Sequence, residues 1–518
     1  MSRPILDEVR RAGESTVASQ FETIARLYPE RLAVTDRECT YSYEALLDGV
    51  KRTAAWLGRQ GVGRGDRVAL LAENSAWYLM LMLGCAERGA ILACQNWRLT
   101  PRELTHCIRL VEPRLTVVSE RYESLLAECD DAIDDLHLLN RDLVAQWVGS
   151  EPAQEFDVDA EDAFIILYTS GTTGLPKGAV ISHRAELARA AAWRTSYRLA
   201  PDDTFVAWTP LYHMGGTDHA LATLTGGGKV VVMDGFDAAQ LAEIAVSEPL
   251  GWLVVMPGTT DRVIAALKAT NRPVVDVKVC GVMADLIPRH QIAELTRLVN
   301  APFANTFGST ETGSPPCSGA LLPIGEVPTQ LPKRLSAFCE LKLVDANDER
   351  VPVGSPGEAA VRGPTLFSGY WNADATNRAD FRGGWFHMGD VLVQHPDGTF
   401  DFVDRAKYMI KSGGENIYPA EIEAALLSHE AVAEAAVVRQ ADSQWGEVPI
   451  AFVATTDEAL DAVALASLCR EKLAGYKQPK GFHFIAFDEF PRSASGKVQR
   501  HELQTRLESL ADDGVGPH

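Results

Sequence analysis

The amino-acid sequence predicts an α/β protein that contains more than one domain. Short apolar runs typical of β-strands alternate with segments of helical periodicity, as at 67–71, 76–87 and 115–118. The chain has 518 residues, whereas one hydrophobic core usually spans no more than ~250 to 300 residues. Its hydrophobic fraction of 46% is sufficient for several cores. We therefore expect a large α/β domain and at least one further domain.

The residue pattern changes twice along the chain. Near Ala337, short strands separated by turn residues predict a β subdomain, and an α+β pattern follows after Asp404. These changes predict a large N-terminal domain at 1–403, a hinge at 404–407 and a small C-terminal domain at 408–518. The supporting segments are strand-like runs at 164–168, 230–233, 252–256, 277–279, 339–344 and 359–361, followed by a helix at 419–427, a strand at 433–438 and a helix at 464–473.

The charge balance indicates which partners to exclude. Seventy acidic residues oppose 49 basic ones, giving a net charge of −21. This charge opposes attraction to nucleic acid and to anionic membranes, so we expect neither as a partner. A small polyanion must then be bound by local groups, since the overall field repels it.

Cysteine spacing and apolar runs predict the compartment. The nine cysteines include no pair at the spacing of a zinc or redox motif, so we expect them to be reduced and mostly buried. The first 14 residues lack the apolar stretch of a signal or anchor, which predicts a cytoplasmic protein. The apolar stretch at 77–94 is interrupted by Glu87, Arg88 and Gly89, so it predicts a core helix and a strand and no membrane span.

The most informative segment follows the apolar run at 163–167. It reads Tyr168-Thr-Ser-Gly-Thr-Thr-Gly-Leu-Pro-Lys-Gly178. Glycines let backbone N–H groups approach an anion, hydroxyls add donors, and a lysine adds positive charge. The spacing differs from the Walker pattern, and a flexible surface turn is the alternative interpretation. The candidate phosphate-binding residues are Thr169, Ser170, Gly171, Thr172, Thr173, Gly174 and Lys177.

The order of residues in this loop resembles the signature loop of the adenylate-forming superfamily, which includes acyl-CoA synthetases, adenylation domains and luciferases. The resemblance continues, in the family's order, over nearly the whole chain. It implies an α/β N-terminal domain with a β subdomain, a small mobile α+β C-terminal domain, and an AMP-forming acid–CoA ligase that uses ATP, Mg²⁺ and coenzyme A. The matching segments are Pro210-Leu-Tyr-His-Met-Gly-Gly216, Asn305-Thr-Phe-Gly-Ser-Thr-Glu311, Trp385-Phe-His-Met-Gly-Asp390, Asp404-Arg-Ala-Lys-Tyr-Met-Ile-Lys-Ser-Gly-Gly414 and Pro491-Arg-Ser-Ala-Ser-Gly-Lys497.

The resemblance implies roles at the reacting phosphate. Lys497 would bridge the substrate carboxylate and the α-phosphate, and Thr310 would donate to that phosphate. Glu311 would bind Mg²⁺, a hard cation that is usually shared between a carboxylate and phosphates. The alternative for Thr310 and Glu311 is the start of a helix, where Thr is a common cap and Glu suits the first turn.

The resemblance also implies roles for nucleotide and thiol binding. Asp390 would accept from the ribose hydroxyls with help from Arg405, and Phe307 would stack on adenine where the family more often has Tyr. His213 would border the acyl pocket and the thiol route, and the alternative for this histidine is a satisfied core residue. Lys407 matches the hinge about which the small domain rotates. Rotation would bring Lys411, Gly413 and Gly414 alongside the pantetheine arm of CoA.

One segment departs from the family pattern. At 280–288, relatives usually carry small residues beside adenine and the acyl group, but Val282 and Met283 are bulky. Added volume in a close-packed site either reshapes the acyl pocket or weakens adenine binding. The pocket candidates are mostly apolar, without an obvious basic partner for a second carboxylate, and favour a hydrophobic monocarboxylic acid. They are His213, Met214, Gly216, Val255, Met256, Gly281, Val282, Met283 and Thr306.

Several alternatives stay open on the sequence alone. Weak adenine binding would suit a ligase that thioesterifies acyl-AMP supplied by another enzyme. A standalone enzyme could instead load a carrier protein, although Tyr212-His213-Met214 lacks the aspartate with which amino-acid activators hold an ammonium group. A luciferase-like oxidation uses the same scaffold, and a binding-only pseudoenzyme conflicts with the retained Lys177, Glu311 and Lys497. The oligomeric state is also open, a homodimer included.

Overall fold

The computed structural model describes residues 5, 8–9, 12–129, 135–152, 156–169, 175–413, 415–457, 459–492 and 498–512. The chain forms two compact units. The first comprises residues 1–341 and 361–386, and the second comprises 342–360 and 387–518. The boundary and the hinge predicted at 404–407 stay predictions.

Helices begin where the sequence provides a side-chain cap. Ser75 accepts a hydrogen bond from the amide of Tyr78, and Thr100 forms a reciprocal pair with Glu103 at the start of its helix. Such caps satisfy amides that have no partner within the helix. The described helices are Val17–Leu27, Tyr43–Arg59, Ala76–Arg88, Pro101–Val111, Glu123–Ala127, Arg141–Val148, His183–Tyr197, Met214–Leu224, Ala238–Ala245, Thr260–Ala269, Arg289–Val299, Asp374–Asp380, Pro419–Leu427, Ala462–Lys472 and Arg500–Asp512.

The strands are numbered in chain order. They are β1 (Leu32–Thr35), β2 (Thr40–Ser42), β3 (Arg67–Leu71), β4 (Ile91–Cys94), β5 (Leu115–Ser119), β6 (Leu136–Leu139), β7 (Ala163–Thr169), β8 (Lys177–Ser182), β9 (Thr204–Ala207), β10 (Lys229–Val232), β11 (Pro249–Leu253), β12 (Asp276–Cys280), β13 (Phe303–Ala304), β14 (Leu321–Leu322), β15 (Glu340–Val344), β16 (Pro356–Arg362), β17 (Phe386–Gln394), β18 (Phe400–Arg405), β19 (Ile410–Ser412), β20 (Glu415–Ile417), β21 (Val432–Asp442), β22 (Gly446–Thr455) and β23 (Phe482–Phe484).

The first unit contains two largely parallel sheets. One has the strand order β14-β13-β12-β11-β9-β10-β1-β2, and the other has the order β6-β5-β3-β4-β7-β8. Parallel strands need helical crossovers, which explains the alternation of apolar runs and helical periodicity in the sequence. In the second sheet, β7 and β8 form an antiparallel pair at the edge, with Thr169 opposite Lys177. This pair places Thr169 and Lys177, the two ends of the predicted phosphate loop, at the edge of that sheet.

The second unit contains sheets that are mostly antiparallel. Strands β15 to β18 lie in sequence order, and the last sheet has the order β20-β19-β22-β21 with β23 beside β22. Both faces of β22 are buried: Val453 packs in one apolar cluster and Phe452 in another. Helices Pro419–Leu427 and Ala462–Lys472 contribute to the first cluster, and Arg500–Asp512 contributes to the second. Burial on both faces explains why β22 is almost continuously apolar.

Most predicted elements lie where the sequence placed them. The apolar stretch at 77–94 forms a helix and a strand, and among the residues that the structure describes no helix has the length and apolarity of a membrane crossing. All nine cysteines are free, and all but Cys39 and Cys129 are buried, as predicted. The strand predicted at 252–256 is wrong in position. It ends at Leu253 because the following residues leave the sheet.

We expect the stability of the sheet in the second unit to depend on the face that packs against the helix Arg500–Asp512. Ile450 is completely buried in that face, so Ile450→Ala should lower the free energy of unfolding by ~2–5 kcal/mol. The control Val463→Ala, at a side chain that is 71% exposed, should change it by less than ~0.5 kcal/mol. Urea unfolding followed by circular dichroism measures both. Equal effects of the two substitutions would contradict the described core.

Candidate active site

The predicted phosphate loop connects β7 to β8. Ser170, Gly171, Thr172, Thr173 and Gly174 lie outside the described residues. The two ends of the loop are described: Thr169 ends β7, and Lys177 begins β8 directly opposite it. The pairing of these ends holds the Lys177 backbone at the base of the loop.

Lys177 lies beside an aromatic residue that the sequence analysis did not identify. Its Nζ is 4.3 Å from the centroid of the Tyr370 ring, within the range of a cation–π contact. Tyr370 reaches this position because its segment pairs with β8: the amide of Trp371 donates to the carbonyl of Gly178 (2.8 Å). The side chain of Asn377 then accepts from the amide of Tyr370 (2.7 Å) and donates to its carbonyl (2.9 Å). Tyr370 is therefore held by backbone contacts on both sides.

Tyr370 also connects Lys177 to the candidate metal ligand. Its hydroxyl donates to Glu311 Oε1 at 2.7 Å, and the backbone amide of Phe367 donates to the Glu311 carbonyl at 2.8 Å. The structure thus brings together two predicted site residues, Lys177 and Glu311, through one tyrosine. The only sequence signal for Tyr370 is the aromatic pair with Trp371 after Gly369, which matches none of the quoted motifs.

Thr310 and Glu311 lie in a turn. The amide of Ser309 donates to the carbonyl of Gly313 (3.2 Å) and to the hydroxyl of Thr312 (3.0 Å), which closes the turn. The alternative prediction, that Thr310 caps a helix, is wrong because no helix begins there in the described chain. The turn presents a hydroxyl and a carboxylate on adjacent residues.

Several predicted pocket residues form a connected group. The amide of Met283 donates to the Thr306 hydroxyl (3.0 Å), and the indole Nε1 of Trp252 donates to the Gly281 carbonyl (2.9 Å). Gly281 has φ +72°, and a Cβ there would lie 2.0 Å from the Phe303 ring, so only glycine fits. Val282 is buried. These contacts fix the backbone of the segment that departs from the family pattern.

A second group of predicted pocket residues surrounds a helix start. His213 precedes the helix Met214–Leu224, and its Nδ1 accepts from the Gly215 amide at 3.2 Å. Because an amide can only donate, Nδ1 carries no proton, and a neutral ring then carries its proton on Nε2. The sulfur of Met214 accepts from the Ser314 hydroxyl at 3.6 Å. His213 is thus both a helix cap and a candidate donor through Nε2.

The remaining candidate site residues of the first unit each make at least one backbone contact or are buried. Phe307 donates its amide to the Ser318 hydroxyl at 3.0 Å. Gly216 lies against the Pro210 carbonyl, and Val255 is completely buried. Met256 accepts from Thr259 through its carbonyl. The pocket role of Val255 and Met256 stays a prediction.

In the second unit, the predicted ribose residues form an ion pair. Asp390 and Arg405 are opposite each other on β17 and β18, and Arg405 Nε lies 2.7 Å from Asp390 Oδ1. Asp390 is buried, whereas 42% of the Arg405 side chain is exposed. The pair therefore holds the carboxylate in one orientation.

The predicted thiol-side residues lie on a nearby strand of the same unit. The amide of Lys411 donates to Glu447 (2.8 Å), and the amide of Gly413 donates to the Trp445 carbonyl (2.8 Å). The Lys407 ammonium lies 4.8 Å from the Tyr408 ring. Gly414 and Lys497 lie outside the described residues.

A residue that follows Lys497 by three positions is firmly anchored. The Arg500 guanidinium donates to both carboxylate oxygens of Glu423 and lies 3.9 Å from Asp404. These contacts join the start of the last helix to the first residue of the predicted hinge. The sequence gives no local signal for this role of Arg500, because its partners lie 77 and 96 positions away.

Comparison with known proteins agrees with this geometry. Residues 21–371 match the family model of the AMP-binding enzymes, and residues 421–497 match the C-terminal domain of those enzymes. The chain therefore belongs to the AMP-binding enzyme family.

Individual relatives indicate which class of AMP-binding enzyme the chain resembles. The chain is 32% identical to the indoleacetate–CoA ligase of Aromatoleum aromaticum, over 93% of this chain and 96% of that protein. It is 33% identical to a feruloyl-CoA synthase of an Amycolatopsis species, over 93% and 97%. The solved structure of o-succinylbenzoate CoA synthetase from Bacillus subtilis, in complex with its acyl-adenylate intermediate, is 26% identical with a TM-score of 0.80, over 94% and 97%. The predicted fold class and the predicted enzyme class, an AMP-forming acid–thiol ligase, are confirmed.

The contact between Tyr370 and Glu311 generates a prediction. Tyr370→Phe keeps the ring beside Lys177 but removes the hydrogen bond that orients the carboxylate, so the Mg²⁺ concentration for half-maximal activity should rise ~3- to 10-fold. The control Tyr43→Phe removes a buried tyrosine hydroxyl that donates to the carbonyls of Leu224 and Gly228. Acid-dependent pyrophosphate exchange at varied Mg²⁺ measures both. An equal shift in the two variants would refute the role of Tyr370.

Proposed function

We propose that this enzyme joins a hydrophobic monocarboxylic acid to coenzyme A through an acyl-AMP intermediate. The observation that carries this proposal is the segment at 281–283, whose backbone is held by hydrogen bonds from Trp252 to Gly281 and from Met283 to Thr306 and which carries the apolar side chains of Val282 and Met283. A basic side chain close to this segment, Lys333, is buried and already engaged by Asp285 and by Asn305 Oδ1. It is therefore not available to a second substrate carboxylate.

The relatives support an acid that carries an aromatic ring. The indoleacetate–CoA ligase and the feruloyl-CoA synthase are named for aryl acids with one carboxyl group. An aromatic ring would contact the side chains of Val282 and Met283 without a polar partner, since aromatic groups are stabilised by burial. We therefore assign an aryl-substituted monocarboxylic acid to this pocket.

The described residues fit the cofactors ATP, Mg²⁺ and coenzyme A. Among them, no group of three acidic, histidine or cysteine side chains forms a metal site. Mg²⁺ usually takes only one or two carboxylates and completes its shell with water and phosphate oxygens. The Tyr370 hydroxyl orients the Glu311 carboxylate through Oε1. Mg²⁺ bound at Glu311 would offset phosphate charge.

The first half-reaction joins two anions. A carboxylate oxygen of the acid attacks the α-phosphorus of ATP, an oxygen–phosphorus bond forms, and the bond to the pyrophosphate oxygen breaks. Lys177 at the base of the loop and Thr310 in the turn would donate to phosphate oxygens, and Lys497 would bridge the two reactants. Asp390, oriented by Arg405, would hold the ribose.

The second half-reaction forms the thioester. The CoA thiolate attacks the acyl carbon, a carbon–sulfur bond forms, and AMP leaves with the bonding electron pair of the carbon–oxygen bond. His213 would border the acyl group and donate through Nε2, since Nδ1 caps its helix. Lys411 and Gly413 would line the path of the pantetheine arm, and Lys407 would serve as the hinge.

A second candidate function is favoured by the backbone at Met283. Its φ of +48° is a conformation that a non-glycine residue adopts at a cost, and its side chain adds volume beside the proposed adenine site. A ligase with a crowded adenine site would thioesterify acyl-AMP from another enzyme and adenylate slowly. Acid-driven pyrophosphate exchange separates the two, because rapid exchange with an aryl acid excludes slow adenylation. Parallel assays with CoA and a holo-carrier protein identify the acceptor.

Lys497→Ala tests the division between the half-reactions. We expect adenylation to fall by ~10²-fold or more, because the variant loses the charge between two anions. Thioester formation from supplied acyl-AMP should fall much less. Both rates are measured by quantifying acyl-CoA from the free acid and from synthetic acyl-AMP. Equal losses in the two assays would rule out a role confined to adenylation.

Met283→Gly tests the acyl pocket. Glycine tolerates the positive φ and removes the side chain. The ratio of kcat/KM for a bulkier acid to kcat/KM for the best wild-type substrate should therefore rise ~10-fold. Leu286→Ala, at an exposed side chain of the same segment, serves as the control. If the substitution instead tightens AMP binding without changing acid preference, Met283 crowds the adenine site and not the acyl pocket.

A further inference from the structure

A completely buried arginine lies behind the Thr310–Glu311 turn. Arg189 is 0% exposed, on the helix His183–Tyr197, and matches none of the sequence motifs. Its Nη2 donates to the Thr310 carbonyl at 3.0 Å, and its Nε donates to the Thr365 carbonyl at 3.0 Å. A planar guanidinium makes such paired contacts with a fixed geometry that lysine does not reproduce.

The same side chain packs against the far end of the turn. Gly313 has φ +68°, and a Cβ at that position would lie 2.7 Å from Arg189 Cδ. Arg189 thus contacts the backbone of the turn on both sides of Glu311, which itself is held by Phe367 and Tyr370. The backbone of the turn is therefore restrained at Thr310, Glu311 and Gly313.

The charge of Arg189 is balanced by one of two buried carboxyls. Its Nη1 lies 3.3 Å from Asp218 Oδ2. Burial raises the pKa of Glu186 well above its usual range, which favours its neutral form. Burial also raises the pKa of Asp218, to about 6, which leaves Asp218 ionised at neutral pH. The ion pair between Arg189 and Asp218 therefore carries no net charge.

The ion pair connects two parts of the proposed site. Asp218 lies on the helix Met214–Leu224, whose first turn is capped by His213 beside the proposed acyl pocket. Arg189 connects that helix to the turn proposed to face the α-phosphate and Mg²⁺. A buried ion pair is weak evidence for stability, because desolvation offsets its attraction. The two hydrogen bonds from Arg189 to backbone carbonyls suggest instead that this residue positions the turn.

We infer that Arg189 is a positioning residue for adenylation, which holds the Thr310–Glu311 turn so that its hydroxyl and carboxylate face the phosphates and Mg²⁺. This inference rests on the proposed function. Arg189 is completely buried and bonds to the Thr310 carbonyl, so we expect it to act through the turn. Its loss should therefore affect adenylation and Mg²⁺ use and leave acid binding and thioester formation nearly intact.

The test uses a charge-balanced double variant, Arg189→Met with Asp218→Asn, which leaves no unpaired buried charge. We expect its kcat for acid-dependent pyrophosphate exchange to fall ~10- to 100-fold, as misplacement of a catalytic group by about 1 Å does. The apparent Mg²⁺ constant should rise, while the KM for the acid and the rate from supplied acyl-AMP stay within about twofold. The control Arg194→Met removes an arginine of the same helix whose Nη2 donates to the Ala222 carbonyl at 2.7 Å and not to the turn.

The outcomes are distinguishable. A folded double variant with wild-type exchange and Mg²⁺ dependence would overturn the inference, as would an equal Mg²⁺ shift in Arg194→Met. If the double variant does not fold, Arg189→Lys decides, because it keeps the charge beside Asp218 but loses the paired carbonyl contacts. A wild-type Mg²⁺ constant in Arg189→Lys would then overturn the inference. Absence of exchange in the wild-type protein with every acid would refute the proposed function instead, and calorimetry with Mg²⁺-ATP would still report on the turn.

Discussion

The central physical constraint on this protein is the meeting of two anions. A carboxylate must reach a triphosphate on a chain whose net charge is −21, so positive charge and hydrogen-bond donors must be concentrated locally. In the first unit, Lys177, Tyr370 and Glu311 form a continuous arrangement in which a lysine, a phenol and a carboxylate are held at fixed separations. Preorganised groups of this kind stabilise developing charge without rearranging during the reaction.

The fold supplies this arrangement through backbone pairing. Lys177 is the first residue of β8, and the segment that carries Tyr370 hydrogen-bonds to that strand. Glu311 lies in a short turn whose carbonyls and amides are bonded from several directions. Strand pairing fixes side-chain positions more firmly than a free loop does. The buried guanidinium of Arg189 also restrains the turn, through its hydrogen bond to the Thr310 carbonyl.

Much of this molecule could be predicted from its sequence, because the informative signals are local. The helix at Pro419–Leu427 and the strand Arg67–Leu71 follow from periodicity, and the family follows from motifs that keep their order. Tyr370 and Arg189 could not be predicted, since each acts through partners far away in the chain. Asp218 lies 29 positions from Arg189, and Tyr370 lies 59 positions from Glu311. The strand predicted at 252–256 failed because apolar residues continue past the point where the chain leaves the sheet.

The most direct test follows labelled oxygen from the carboxyl group of the acid into the products. If the acid carboxylate attacks the α-phosphorus, an acid labelled with heavy oxygen in its carboxyl group must transfer one labelled oxygen to AMP. We expect labelled AMP, unlabelled pyrophosphate and an acyl-CoA that keeps the other labelled oxygen, all measurable by mass spectrometry. Unlabelled AMP, or label in another phosphate product, would contradict an acyl-AMP intermediate.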